Sequence, residues 1–160
     1  MTLAETPPHK VKPKVIIRRI DGIKENQLLT DLQTTILPYD TPEPTAKGWW
    51  WVARTTDGFP VAFCGMTRSS KWRDTIYLCR AGVLREFRGA GLQARLIRVR
   101  EHKAKELGMN WLVTDTYDNP ASSNSLINCG FKLYEPSSPW GAKGTLYWKK
   151  KIHQPNRDIE

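Results

Sequence analysis

The sequence predicts a mixed α/β sheet with helices on both faces. Three observations carry this: apolar, β-branched runs of strand length; two long segments with apolar residues at helical spacing between those runs; and one glycine-rich turn, Arg88-Gly89-Ala90-Gly91-Leu92-Gln93, joining an apolar run to the longest helix. At 160 residues the chain is long enough for one domain whose core needs neither disulfides nor metal. That domain is expected over residues 15–152, between a flexible N-terminal segment, 1–14, and a C-terminal tail, 153–160.

Val15 to Ile20 is β-branched and reads as the first strand, ended by the turn signal Asp21-Gly22. From Lys24 to Leu37 the residues Leu28, Leu29, Leu32, Ile36 and Leu37 recur at helical spacing until Pro38 stops them. Pro42 and Pro44 then mark a loop. Trp49 to Arg54 and Pro60 to Met66 are apolar runs joined around Asp57-Gly58, a hairpin signature. Thr75 to Val83 resumes strand character after a polar turn, giving three antiparallel strands in succession. Beyond the glycine loop, Leu92, Leu96, Val99, Ala104 and Leu107 form an apolar stripe on one helix, with Gly108 as its C-cap. Trp111 to Thr116 is a strand, Ala121 to Asn128 a short helix stopped at Gly130, and Phe131 to Tyr134 and Thr145 to Ile152 complete the sheet.

Composition narrows the function classes. Three cysteines, Cys64, Cys79 and Cys129, sit among apolar neighbours, as reduced thiols in a cytoplasmic protein do. No apolar run reaches membrane-spanning length, so no membrane partner is expected, and His9, His102 and His153 are too scattered for a metal site. The formal charge of +9, concentrated at Arg18-Arg19, on the long helix and at Lys149-Lys150-Lys151, asks for an anionic ligand.

The glycine loop supplies a place for one. Glycines one residue apart permit positive φ, so successive N–H groups converge, and the following helix adds its unpaired N-terminal donors and dipole. It is not a Walker loop, because Leu92-Gln93 follows Gly91 where Lys-Ser/Thr is required. A dinucleotide fingerprint needs a third glycine that is missing here.

The element order, with this loop between the fourth strand and the next helix, resembles the GNAT superfamily of acyl-CoA-dependent N-acyltransferases. Its phosphate signature, Arg/Gln-x-x-Gly-x-Gly/Ala, is met by Arg88 and Gly91, with Gln93 in place of a small residue. A second signature ending in Gly-Phe is similar to the stretch from Asn119 to Gly130-Phe131, with Leu126 where many members have tyrosine. The resemblance implies a mostly antiparallel sheet of about seven strands that splays between strands 4 and 5. It also implies acetyl-CoA as co-substrate and direct transfer to a primary amine in a ternary complex.

Residue by residue, it places the pantetheine against backbone groups of Ala81, Gly82 and Val83, and the pyrophosphate on N–H groups of Gly89, Ala90, Gly91, Leu92, Gln93 and Ala94 with Arg88 beside them. Asn119 would hydrogen-bond the pantetheine or, as an Asx turn, open the helix at Pro120. Tyr77 stands at the strand position where some members carry a glutamate base, with Asp115 and Asp118 as alternatives. Because Leu126 cannot protonate a thiolate, Ser122, Ser123, Ser125 or Tyr134 is the expected donor. For the acceptor, Trp140 in its Pro/Gly-rich loop is a candidate wall. Trp50, pointing opposite to Trp49 and Trp51, is a candidate groove residue unless all three pack beneath helices. The acceptor itself is an amine-bearing small molecule, peptide or protein, or alternatively an RNA-linked amine such as aminoacyl-tRNA; a non-catalytic binding module is the third reading. The protein acting as monomer or homodimer fits each.

Overall fold

A computed structural model describes residues 13–152. The expected N-terminal segment, up to residue 12, and the tail 153–160 lie outside the described residues. The strands are β1 (Val15–Ile20), β2 (Trp49–Thr55), β3 (Pro60–Arg68), β4 (Thr75–Val83), β5 (Trp111–Thr116), β6 (Lys132–Tyr134) and β7 (Leu146–Lys151). They form one sheet in the order β1-β2-β3-β4-β5-β7-β6. All neighbours are antiparallel except β4 and β5, which run parallel. The helices are α1 (Asn26–Ile36), α2 (Leu92–Glu106) and α3 (Pro120–Asn128).

The sheet divides the core. Leu29, Leu32 and Ile36 of α1 pack on Trp50, Val52 and Phe63, while α2 and α3 bury Leu92, Leu96, Ile97, Ala104 and Leu126 against the opposite face. Because both faces of β2 and β3 are covered, residues 50–53 and 61–66 are buried in succession rather than in alternation. The three tryptophans follow strand alternation. Trp51 joins the α2 side; Trp50, 1 % exposed, lies under α1. Its ring occupies the space above Gly65, where a Cβ would stand 2.5 Å from it, and its Nε1 donates to the Lys47 carbonyl. Trp50 therefore lines no acceptor groove: it is a core residue.

Two irregularities shape the sheet for function. On β3 Gly65 pairs with Arg80 and Thr67 with Tyr77, so β4 carries one extra residue there, a bulge at Leu78-Cys79. Beside it, β4 and β5 pair only through Thr75 to Tyr77 and Trp111 to Val113. Past that point the strands part, as expected, and side chains bridge them: Thr114 Oγ1 donates to the Leu78 carbonyl and the Tyr77 hydroxyl to the Asp115 carboxylate.

The loop after α1 is tied down. The buried amide of Gln33 exchanges two hydrogen bonds with the backbone of Glu43, and Arg80 of β4 reaches across to Asp40, Glu43 and the Thr41 carbonyl. That loop forms one wall of the gap between β4 and β5.

Candidate active site and cofactor cleft

Two adjoining clefts of about 430 and 370 Å³ open where β4 and β5 separate. Leu37, Ala81, Gln93, Asn119 and Ser122 border both, making one continuous trough. Its outer end holds the glycine loop; its inner end reaches Tyr77, Cys79 and Asp115.

At the outer end Gly89 and Gly91 have φ of +79° and +77°. These are left-handed conformations that side chains disfavour, whereas the space around each is open, so backbone conformation rather than crowding requires glycine there. Helix α2 begins at this point with no side-chain cap, leaving the first-turn N–H groups of Leu92, Gln93 and Ala94 without intrahelical partners. The Leu92 side chain is buried in the core, so only its backbone can serve a ligand. Arg88 is fixed by an Nε donation to the Val83 carbonyl at 3.1 Å, and Ala90 does not border the trough.

Along β4 the expectation for Ala81, Gly82 and Val83 needs correction. Leu84 N–H donates to Val61 of β3, so by antiparallel alternation Gly82 also directs its backbone groups to β3, while those of Ala81 and Val83 face the gap. Gly82 answers to helix packing instead: a Cβ would fall 2.5 Å from Ile36 Cγ2. Across the gap, Asn119 Oδ1 accepts from Ser122 N–H and caps α3, so the Asx reading holds while the residue still borders the trough.

At the inner end Asp115 Oδ2 accepts two hydrogen bonds, from the Tyr77 hydroxyl at 2.6 Å and from Trp140 Nε1 at 2.9 Å. Burial, and next the Asp115 carboxylate, drive the Tyr77 hydroxyl far above its ordinary ionisation range. Tyr77 is thus a firm donor, and the base role expected of it does not fit. Burial likewise pushes the Cys79 thiol up to about 12. Tyr134 does not border this trough. Its hydroxyl is buried without a partner among the described residues, in a neighbouring groove with Trp72, Trp111 and Lys149. Trp140 stands between the two, packed on Tyr147, Trp72 and Tyr77 with the Lys71 ammonium 4.4 Å above its ring.

A comparison with protein families decides what this architecture is. The profile described as "Acetyltransferase (GNAT) family" matches residues 24–131. The chain belongs to the GNAT acetyltransferase family. A search of curated proteins returns no match. Solved structures share the GNAT fold at low identity. The IAA acetyltransferase from Bacillus cereus ATCC 14579 is 18% identical, with a TM-score of 0.67 over 87% of this chain and 100% of the other. A GNAT-family acetyltransferase from Staphylococcus aureus Mu50 is 14% identical, with a TM-score of 0.67 over 88% and 100% of the two chains. The NatC complex bound to Gag peptide and CoA contains a chain 14% identical, with a TM-score of 0.68 over 88% and 99%.

Within this GNAT fold the sequence reading missed three features: the bulge, the shared bond of Tyr77 and Trp140 to Asp115, and Arg100. The first two depend on pairing across distant strands and left no local signal. Arg100 did leave one. It stands four residues after Leu96 and four before Ala104, on the stripe that faces the sheet, and is 4 % exposed.

Proposed function

We propose that this GNAT protein transfers an acetyl group from acetyl-CoA to a primary amine by direct attack in a ternary complex. The observation that supports this best is the continuous trough from the uncapped N-terminus of α2, past the free edge of β4, to Asp115. Pyrophosphate would sit on the N–H groups of Gly89 and Gly91 to Ala94 beside Arg88. The pantetheine would run along the β4 edge at Ala81 and Val83, with Asn119 and Ser122 opposite. The thioester carbonyl would then lie near the bulge, and Asp115 would take the amine proton directly or through water, oriented by Tyr77 and Trp140. An acyl-cysteine route is disfavoured, because a thiol with a pKa of about 12 holds almost no thiolate at neutral pH.

The acceptor end carries three carboxylates, Asp40, Glu43 and Asp115, in a chain of net charge +9. Arg80 is engaged by the first two and by the Thr41 carbonyl, so it offers little to a substrate anion. This electrostatics suits an amine that arrives as its ammonium form. Loss of the carboxylate in Asp115→Asn should lower kcat by about 10²- to 10⁴-fold while leaving CoA affinity unchanged. Unchanged kcat would remove Asp115 from the mechanism. One observation favours an RNA-linked amine as the alternative acceptor: Trp72, Trp111 and Tyr134 share a groove with Arg73 and Lys149, an aromatic and basic combination suited to stacked bases. RNA binding that falls steeply with salt would support that acceptor, and salt-independent or absent binding would dismiss it.

A further inference from the structure

Arg100 is the only charged residue that is buried among the described residues, and the reaction so far gives it no task. Its Nε donates to the Leu96 carbonyl at 3.0 Å and its Nη1 to the Gly65 carbonyl, beside the β4 bulge, at 3.3 Å. Both acceptors are neutral, and no carboxylate pairs with it among the described residues. Its neighbour Glu101 is engaged by Lys150 and Lys105 instead. Two bonds leave part of the five-donor guanidinium unused, and the residue borders the inner trough together with Cys79, Ser122 and Leu126. A cation kept out of water without a counter-ion is costly unless an anion comes to it.

We propose that Arg100 is a catalytic residue that stabilises the CoA thiolate as it departs, at the place where Leu126 offers only hydrocarbon. This rests on the reading of the trough as the acetyl-CoA site. The ammonium first gives one proton to Asp115, which passes it to solvent; the neutral nitrogen then attacks the thioester carbon, the C–N bond forms, and the C–S bond breaks with its electron pair passing to sulfur. The second nitrogen proton leaves to Asp115 and then solvent, and the thiolate holds its charge against Arg100 until released and protonated by water.

Three thiols feel the charge of this cation: Cys64 of β3, Cys79 of β4 and Cys129 after α3. Burial is the chief cause that raises each, and the Arg100 charge opposes it, at Cys129 behind the larger effects of Arg98 and Lys150. The carboxylates facing the same trough are Asp115, and Asp40 and Glu43, which Arg80 already holds. The CoA sulfur would meet the same field with a lower burial penalty, since it enters an open trough.

The test is to titrate the thiol of CoA bound to the wild-type protein by its thiolate ultraviolet absorbance, beside free CoA in the same buffer. The bound thiol should ionise about one to three pH units below the free one. Arg100→Met should return it to the free value, and Arg100→Lys should keep part of the depression. In acetyl transfer Arg100→Met should lower kcat at least tenfold with a smaller change in KM for acetyl-CoA. A bound thiol that titrates with free CoA in the wild-type protein overturns the proposal without needing any variant to fold. So does a depression that persists in Arg100→Met, and its loss in Ser122→Ala would then assign the role to Ser122. Absence of CoA binding to the wild-type protein overturns the cofactor reading beneath it as well.

Discussion

Replacing Gly91 by alanine and by glutamate separates backbone strain from cofactor recognition. Gly91 has φ of +77°, and a Cβ built there meets nothing within 4 Å. Either substitution therefore brings the same left-handed strain, about 1–2 kcal/mol, without a clash. Glutamate also places a carboxylate at the start of α2. In the free protein this offsets part of the strain, by about 0.3–1 kcal/mol, because it complements the helix dipole. With CoA bound it faces the pyrophosphate. For one unit charge against two, roughly 7 Å apart at an effective dielectric constant of about 40–80, repulsion is about 1–2.5 kcal/mol, a roughly 5- to 60-fold rise in Kd. Thermal unfolding and calorimetric CoA titration should thus rank the variants in opposite orders: Gly91→Glu at least as stable as Gly91→Ala, yet binding CoA more weakly. Raising the salt concentration should narrow the binding difference. Equal CoA affinity in the two variants at low salt would refute placement of the pyrophosphate at this helix end.

Three further outcomes follow from the geometry. Gly82→Ala should cost about 1–3 kcal/mol in urea unfolding because its Cβ would press on Ile36. Ile36→Ala should couple to it less than additively, and CoA affinity should stay the same; a CoA defect without a stability loss would restore a ligand role to Gly82. Cys79→Ala should retain initial-rate patterns of a ternary complex, since the native thiol has a pKa of about 12; ping-pong patterns abolished by the substitution would instead reveal an acyl-enzyme. Stability should fall as the pH rises above 9, because Cys64 and Cys79 keep protons in the native state up to about 11 and 12 that the unfolded chain releases at its ordinary value of 9.0. The slope, at most about 1.4 kcal/mol per pH unit for each thiol, should lessen in the double alanine variant, and a flat profile in the wild-type protein would contradict the burial of these thiols.

How much the sequence showed depended on how local each determinant is. The span of β4, Thr75–Val83, and the start of α2 at Leu92 follow from residue patterning and from Gly91, so they were legible. The capping role of Asn119 is equally local, being set by Pro120 and Ser122. The family resemblance places a ligand against Gly82, but the partner that demands glycine there is Ile36, 46 residues earlier and on another element. Trp50 was ambiguous for the same reason: alternation gives its side of the strand, yet only the placement of α1 shows that side to be covered. Insertion of β7 between β5 and β6 puts Tyr147 beneath Trp140 and thereby holds Trp140 against Asp115. That contact joins three distant segments, and nothing local in the sequence signals it.

The central claim, that this GNAT trough carries acyl transfer, is tested most directly by release of CoA thiol from acetyl-CoA across a panel of primary amines, with the N-acetyl product measured in parallel. The account predicts that at least one amine raises thiol release saturably and in equal amount to its N-acetylated product, and that Gly91→Glu raises the acetyl-CoA concentration required. If the wild-type protein binds acetyl-CoA but no amine lifts thiol release above the rate of hydrolysis in buffer, the chain is a binding module and the claim is contradicted.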